Sequence, residues 1–142
     1  MGLKDSLSHA LVRAFRLVNR ASNRAFQPFA LSAEQAHVLL ILWADGPMKV
    51  GELQRVLALG SGTLTGALDR MDKLGLLRRI PDETDRRAFR VEPAEVGARK
   101  RKRMEETVAE LEEEAFACLT TKERKELLRL LTKLGAAGSG PS

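Results

Sequence analysis

Apolar side chains recur at Leu3, Leu7, Leu11, Phe15 and Val18, spaced by four, four, four and three, while Arg13, Arg16, Arg20 and Arg24 fall on another face. This is the stripe of an α-helix, so residues 3–26 predict a long amphipathic helix with a basic edge, stopped at Pro28. Ser32-Ala33-Glu34-Gln35 reads as a capping box opening a second helix. Its run from Val38 to Trp43 is almost wholly apolar and predicts burial, and Asp45-Gly46-Pro47 ends it. Met48 adds a short strand. Residues 50–57 then predict a helix burying Leu53, Val56 and Leu57. Residues 61–74 predict another, burying Leu64, Leu68 and Met71, with Gly75 as its C-cap.

After Gly75 the period changes. Leu76-Leu77-Arg78-Arg79-Ile80 reads as a strand running in, a Pro/Asp/Thr/Asp cluster turns the chain, and residues 88–91 alternate back out, which predicts a β-hairpin with Arg86, Arg87 and Arg90 at its tip and returning arm. Two helices separated by Ala58-Leu59-Gly60 and followed by a basic hairpin are the layout of a winged helix. In that architecture the second helix enters a DNA groove and the wing reaches the neighbouring one. Downstream, residues 94–118 predict a helix of about seven turns, with a heptad-like seam at Met104, Val108, Leu111, Ala115 and Cys118. Thr120-Thr121-Lys122-Glu123 is a second capping box, opening a last helix that carries Leu127, Leu128, Leu130, Leu131 and Leu134.

A winged helix needs neither the first helix nor the last two. Their seams exceed what one small lobe covers, so Leu7, Leu11, Phe15, Leu111, Leu127, Leu131 and Leu134 are expected at the interface of a homodimer. The expected fold is mainly α with a small β-hairpin wing. It divides into an N-terminal dimerisation helix (1–30), a winged helix-turn-helix DNA-binding lobe (31–97), C-terminal dimerisation helices (98–134) and a flexible tail (135–142).

Composition narrows the function. The chain has 142 residues, 44% of them apolar, which suffices for a real core. Its formal net charge of +5 fits an anionic partner such as nucleic acid. One cysteine makes no intrachain disulfide, the N-terminus lacks a signal peptide's apolar core, and no apolar run approaches the roughly 18 residues of a membrane span, so a cytoplasmic protein with no membrane partner is expected. His9, His37 and Cys118 are the only candidates for metal or nucleophile chemistry, and they lie in three separate helices without ligand spacing. No enzyme, cofactor or metal is expected. His37, beside the apolar run, reads as a core or pocket histidine. Trp43 reads as core that could line a ligand cavity, and Cys118, on the seam, as a buried thiol.

With Leu64, Leu68 and Met71 facing inward, Gly62, Thr65, Gly66, Asp69 and Lys73 project outward. The two glycines would let the backbone approach a groove, and the hydroxyls of Ser61, Thr63 and Thr65 could donate to phosphates or base edges. Arg70 has two options, Asp69 or a phosphate. In the wing, Asp85 is expected to orient one guanidinium of Arg86 or Arg87 while the other enters a minor groove. The cationic run 99–103 reads as a solvated segment balanced by Glu105 and Glu106. The expected DNA-binding set is therefore Ser61, Gly62, Thr63, Thr65, Gly66, Arg70, Lys73, Asp85, Arg86, Arg87 and Arg90.

Leu31-Ser32-Ala33-Glu34-Gln35, Leu64-Thr65-Gly66-Ala67-Leu68-Asp69-Arg70-Met71 with Leu74-Gly75-Leu76-Leu77, and Asp85-Arg86-Arg87 with Val91 and Gly97 together resemble the MarR family of bacterial transcription regulators. The resemblance implies a homodimer whose terminal helices form the dimerisation unit and whose two lobes grip a pseudo-palindromic double-stranded operator, more often as a repressor. It also implies a small-molecule or oxidant signal that alters the spacing of the lobes; the effector expected is a small aromatic or phenolic one, for which His37 and Trp43 are the ligand-binding candidates. Gly60 and Lys49 stand where the family usually has helix-capping hydroxyls. Pro93 removes a strand donor at the wing's exit, which suits an edge strand and predicts a short second arm. The rival reading is a winged helix used as a protein-interaction module for an acidic partner.

Overall fold

A computed structural model describes residues 2–138. In chain order its elements are α1 (Leu7–Phe26), α2 (Ala33–Asp45), β1 (Met48–Lys49), α3 (Val50–Leu57), α4 (Ser61–Lys73), β2 (Leu77–Pro81), β3 (Phe89–Pro93), α5 (Ala98–Ala115) and α6 (Thr121–Gly138). The chain divides into two compact units. One joins the segment up to Ala36 to Ala98–Cys118, and the other joins His37–Gly97 to the segment from Leu119 onward.

In the first unit α1 starts later than its apolar spacing predicts. Leu3–Asp5 form a 3₁₀ turn, and Ser6 then caps α1 by accepting the His9 N–H at 3.4 Å. A hydroxyl that satisfies a first-turn donor starts the helix there, and Leu3 is left outside it. At the other end Pro28 sits in a 3₁₀ turn, Gln27–Phe29, closed by Ala30 in the left-handed region (φ 58°). The capping box at Ser32 forms reciprocally: the Gln35 N–H donates to Ser32 Oγ at 3.1 Å and the Ser32 N–H to Gln35 Oε1 at 2.9 Å. Helix α5 runs from Ala98 to Ala115, not over 94–118, because Gly97 turns the backbone at φ 88°. Met104 and Thr107 are buried on it, while Cys118 lies past its end and is exposed, contrary to the buried thiol expected. The basic run pairs along the helix, Arg101 with Glu105 at 3.2 Å and Arg103 with Glu110 at 2.9 Å.

The second unit holds the helix-turn-helix and the wing. Val38, Leu39, Leu42, Leu53, Leu64, Leu68, Met71, Leu77 and Val91 are buried and form its core. Helix α3 has the expected bounds and buries Leu53, but Leu57 is only half-buried and Val56 is 55% exposed where burial is expected. The turn to α4 is made by Ala58 at φ 54°, with the Leu59 N–H reaching back to the Gln54 carbonyl at 3.2 Å. Gly75 (φ 71°) closes α4 in the same way, with Leu76 N–H on the Met71 carbonyl at 2.9 Å and Gly75 N–H on that of Asp72 at 3.0 Å.

The three strands are antiparallel in the order β1-β3-β2. The arm with Pro93 is thus the central strand, and it runs its full length to Pro93, opposite Leu77. Proline is tolerated because β1 covers only Arg90 and Val91, so nothing on that side needs a donor from Pro93. Helix α6 opens on its expected capping box, Glu123 N–H to Thr120 Oγ1 at 3.1 Å and Thr120 N–H to Glu123 Oε1 at 2.9 Å. It continues to Gly138 and so takes in part of the expected tail, of which residues 139–142 lie outside the described residues.

Candidate nucleic-acid interface

Helix α4 presents a small, hydroxylated surface. Ser61, Gly62, Thr63 and Thr65 are exposed in its first turns, and Arg70 and Lys73 in its last, while Leu64, Ala67, Leu68 and Met71 face the core. Gly60 is its N-cap and supplies no side-chain hydrogen bond. The first-turn N–H groups therefore keep their partial positive charge toward solvent, the arrangement that suits a phosphate oxygen. A Cβ at Gly62 would meet no atom within 4 Å, so the glycine is not demanded by the protein's own packing. At Gly66 a Cβ would stand 3.4 Å from Arg70 Nη1. The Arg70 guanidinium thus lies back along the helix over Gly66, and Gly66 is half-buried beneath it instead of projecting freely.

Asp69 is likewise half-buried, and its partner is a residue that the sequence does not single out. Arg79 in β2 stands opposite Val91 and shares its face of the sheet. From there its guanidinium reaches Asp69 Oδ1 at 2.6 Å and Asp72 Oδ2 at 3.4 Å. One arginine ties the wing strand to the outward edge of α4.

At the wing tip Arg86 and Arg87 are exposed and form no ion pair among the described residues. Asp85 does not grip either guanidinium: its Oδ1 accepts the backbone N–H of Arg87 at 3.0 Å. A short carboxylate two residues ahead of an N–H closes a turn more readily than it reaches a flexible neighbouring side chain. Arg90 is used internally, donating from Nη2 to the Pro47 carbonyl at 2.8 Å with Nη1 3.7 Å from Asp82 Oδ1. Asp82 is the tip's buried member. It accepts from Thr84 Oγ1 at 2.8 Å and lies 3.6 Å from Lys49 Nζ. The Thr84 hydroxyl above all, with Lys49 and nearby N–H groups, holds the Asp82 carboxyl below the usual aspartate range against the opposing effect of burial. Its signal in the sequence was a carboxylate two residues before a threonine in a turn.

A cleft of about 570 Å³ between α3, α4 and the wing is lined by both Thr65 and Arg87, together with Lys49, Arg55 and Arg79 against the single carboxylate of Glu52. The structure thus brings one helix hydroxyl, that of Thr65, and a wing arginine onto one cationic surface. His37 and Trp43 are not brought together in this way. His37 is exposed, where a core or pocket position is expected, and Trp43 is half-buried; six residues apart on α2, they point about 120° from each other. Among the described residues no group of three or more histidine, cysteine or acidic side chains could hold a metal ion, and no helix is long and apolar enough to cross a membrane.

A helix-turn-helix whose second helix is flanked by an antiparallel basic hairpin defines the winged helix-turn-helix class. Residues 31–89 match the sequence model of the MarR family. The chain is 32% identical to the HTH-type transcriptional regulator PecS of Dickeya dadantii over 127 residues, 87% of this chain and 76% of PecS. It is 40% identical to the HTH-type transcriptional regulator MgrA of Staphylococcus aureus over 86 residues, 60% of this chain, and in that match spans 58% of MgrA's length. Among solved structures, a mutant MarR from E. coli complexed with operator DNA superposes with a TM-score of 0.81 at 28% identity, covering 90% of this chain and 92% of that one. This chain belongs to the MarR family.

Proposed function

We propose that the protein is a cytoplasmic, sequence-specific double-stranded DNA-binding transcription regulator, a homodimeric repressor and not an enzyme. The observation that carries the reading is the single cationic cleft onto which Thr65 of α4 and Arg87 of the wing both open. Phosphate neutralisation would supply most of the affinity, and Ser61, Gly62, Thr63, Thr65 and the wing would supply specificity through groove contacts and DNA shape. Arg70 and Lys73, exposed at the far end of α4, fit backbone contacts. The operator complex of E. coli MarR supports operator DNA as the partner, and a two-fold dimer would read it as a pseudo-palindrome.

Dimerisation is supported by apolar side chains exposed on the terminal helices, Leu7 at 89%, Phe15 at 65% and Leu134 at 57%, with Leu11 and Leu131 exposed beside them and Leu111 and Leu127 half-buried. Monomeric proteins seldom leave such stripes uncovered. An effector of small aromatic or phenolic type, near His37 and Trp43, rests on family membership. Footprinting and competition binding on the DNA upstream of the protein's own gene test the reading: a protected palindrome preferred over scrambled duplex is expected. Equal binding to both would instead favour a module whose basic face meets an acidic protein partner.

A further inference from the structure

Every residue from Glu83 to Arg87 is exposed, yet the carboxylate that precedes them is not: the Asp82 side chain is 4% exposed. Burying a carboxylate at the end of a hairpin is costly unless its oxygens are satisfied. Here Oδ2 accepts from Thr84 Oγ1 (2.8 Å) and the Asp85 N–H (3.2 Å) and faces Lys49 Nζ (3.6 Å), while Oδ1 faces Arg90 Nη1 (3.7 Å). Lys49 and Arg90 are direct cross-strand partners in β1 and β3. Like charges at opposed sheet positions repel, and a carboxylate set between them turns that repulsion into a clamp on the base of the wing.

The clamp continues into the tip. The Asp82 N–H donates to the Ala88 carbonyl at 3.0 Å and the Ala88 N–H to the Asp85 carbonyl at 3.1 Å, so the turn is closed along its backbone. The N–H of Asp85 is drawn to Asp82, and the Asp85 carboxylate in turn holds the N–H of Arg87. We propose that Asp82 is a positioning residue for DNA binding, which anchors the wing turn to Lys49 and Arg90 and, through Asp85, sets the backbone from which Arg86 and Arg87 project. Neither arginine is consumed by this arrangement, so both keep their charge for a groove or a phosphate. The inference rests on the DNA-binding reading, and it makes Asp82 act only through the two arginines.

A double-mutant cycle separates that role from a general contribution to folding. Asp82→Ala is expected to weaken binding to the protected upstream duplex about tenfold, the order of one lost groove contact. In an Arg86→Ala/Arg87→Ala background the same change should cost less than about twofold, since the groups it positions are gone. Asp82→Asn, which keeps an oxygen acceptor for Thr84 and the Asp85 N–H, should recover most of the loss. Should Asp82→Ala fail to fold, Thr84→Val, which removes the 2.8 Å hydrogen bond alone, is run through the same cycle. Equal losses in both backgrounds, or no loss in either, overturn the inference. If the wild type does not prefer its upstream duplex over scrambled DNA, the regulator reading fails instead. The wing geometry is then judged by amide exchange, where unchanged protection of the Asp85 and Arg87 N–H groups in Asp82→Ala overturns it and faster exchange supports it.

Discussion

At the scale of single residues the wing holds two carboxylates, Asp82 and Asp85, with different work. Because the folded Asp82 carboxyl is held below its ordinary range, first by the Thr84 hydroxyl, its ionised form favours the folded state. Its contribution is therefore fully present above the ordinary aspartate range and is lost as pH falls through the depressed value. The charged groups facing it are Lys49 and Arg90. Amide protection of the Asp85 N–H, which Asp82 accepts directly, is expected to fall on acidification in the wild type and to lose that dependence in Asp82→Asn; hydrogen exchange across the acidic range checks this. Asp85→Ala removes a negative charge next to two arginines, so long-range attraction alone predicts tighter DNA binding. The structure predicts the opposite, a loss of roughly three- to tenfold, because the N–H of Arg87 loses its acceptor and the tip its conformation. Titration of one labelled duplex against both proteins decides the sign.

At the scale of elements, α4 separates what the fold needs from what a ligand would need. Gly62 has open space where a Cβ would stand. Gly62→Ala should raise stability by about 0.5–1 kcal/mol through helix propensity and yet weaken DNA binding by closing off backbone approach. Chemical denaturation and duplex titration on the same sample read both signs, and unchanged binding would remove Gly62 from the interface. The turn ahead of α4 makes the reverse point. Ala58 carries a Cβ into the left-handed region at φ 54°, a conformation that costs an L-residue about 1–2 kcal/mol. Ala58→Gly is expected to stabilise the lobe by a fraction of that, about 0.5–1 kcal/mol after the added freedom of the unfolded chain is deducted. A higher denaturant midpoint at unchanged slope is the expected result.

At the scale of the whole molecule, the terminal helices carry apolar surface on a chain whose core is already formed. Helix α6 buries no residue at all, although leucines recur along it at Leu127, Leu128, Leu130, Leu131 and Leu134. Helix α1 has no acidic residue, and its four arginines lie opposite the stripe of Leu7, Leu11 and Phe15. Such helices are stable in water only when their apolar side is covered. Sedimentation is expected to show a dimer at micromolar concentration, and Leu131→Asp, which would place an unpaired charge in the covered face, should convert it to monomer or aggregate. A wild-type monomer at tens of micromolar would refute the dimer.

Much of this molecule was legible without coordinates. Local signals carried the two capping boxes, the bounds of α3, the Gly75 stop and the hairpin after it, because each depends on side chains within a few residues of one another or on a period of 3.6 or 2. Family membership was legible for the same reason, in contiguous motifs around α4 and the wing tip. Long-range partnerships were not. That Arg79 ties β2 to Asp69 and Asp72 depends on how the sheet packs on α4; that Asp82 is buried between Lys49 and Arg90, that Arg90 turns inward to Pro47, and that the strand with Pro93 is central depend on β1 pairing with β3 some forty residues away. Periodicity also overstated burial at Val56 and Cys118, since it ranks the faces of a helix but does not say how far along the helix its neighbours extend, and adjacency to an apolar run placed His37 inward although it is exposed. The chain's own pattern determined which elements form; tertiary packing alone decided which charges are spent inside the protein and which, as at Arg86 and Arg87, are left facing out.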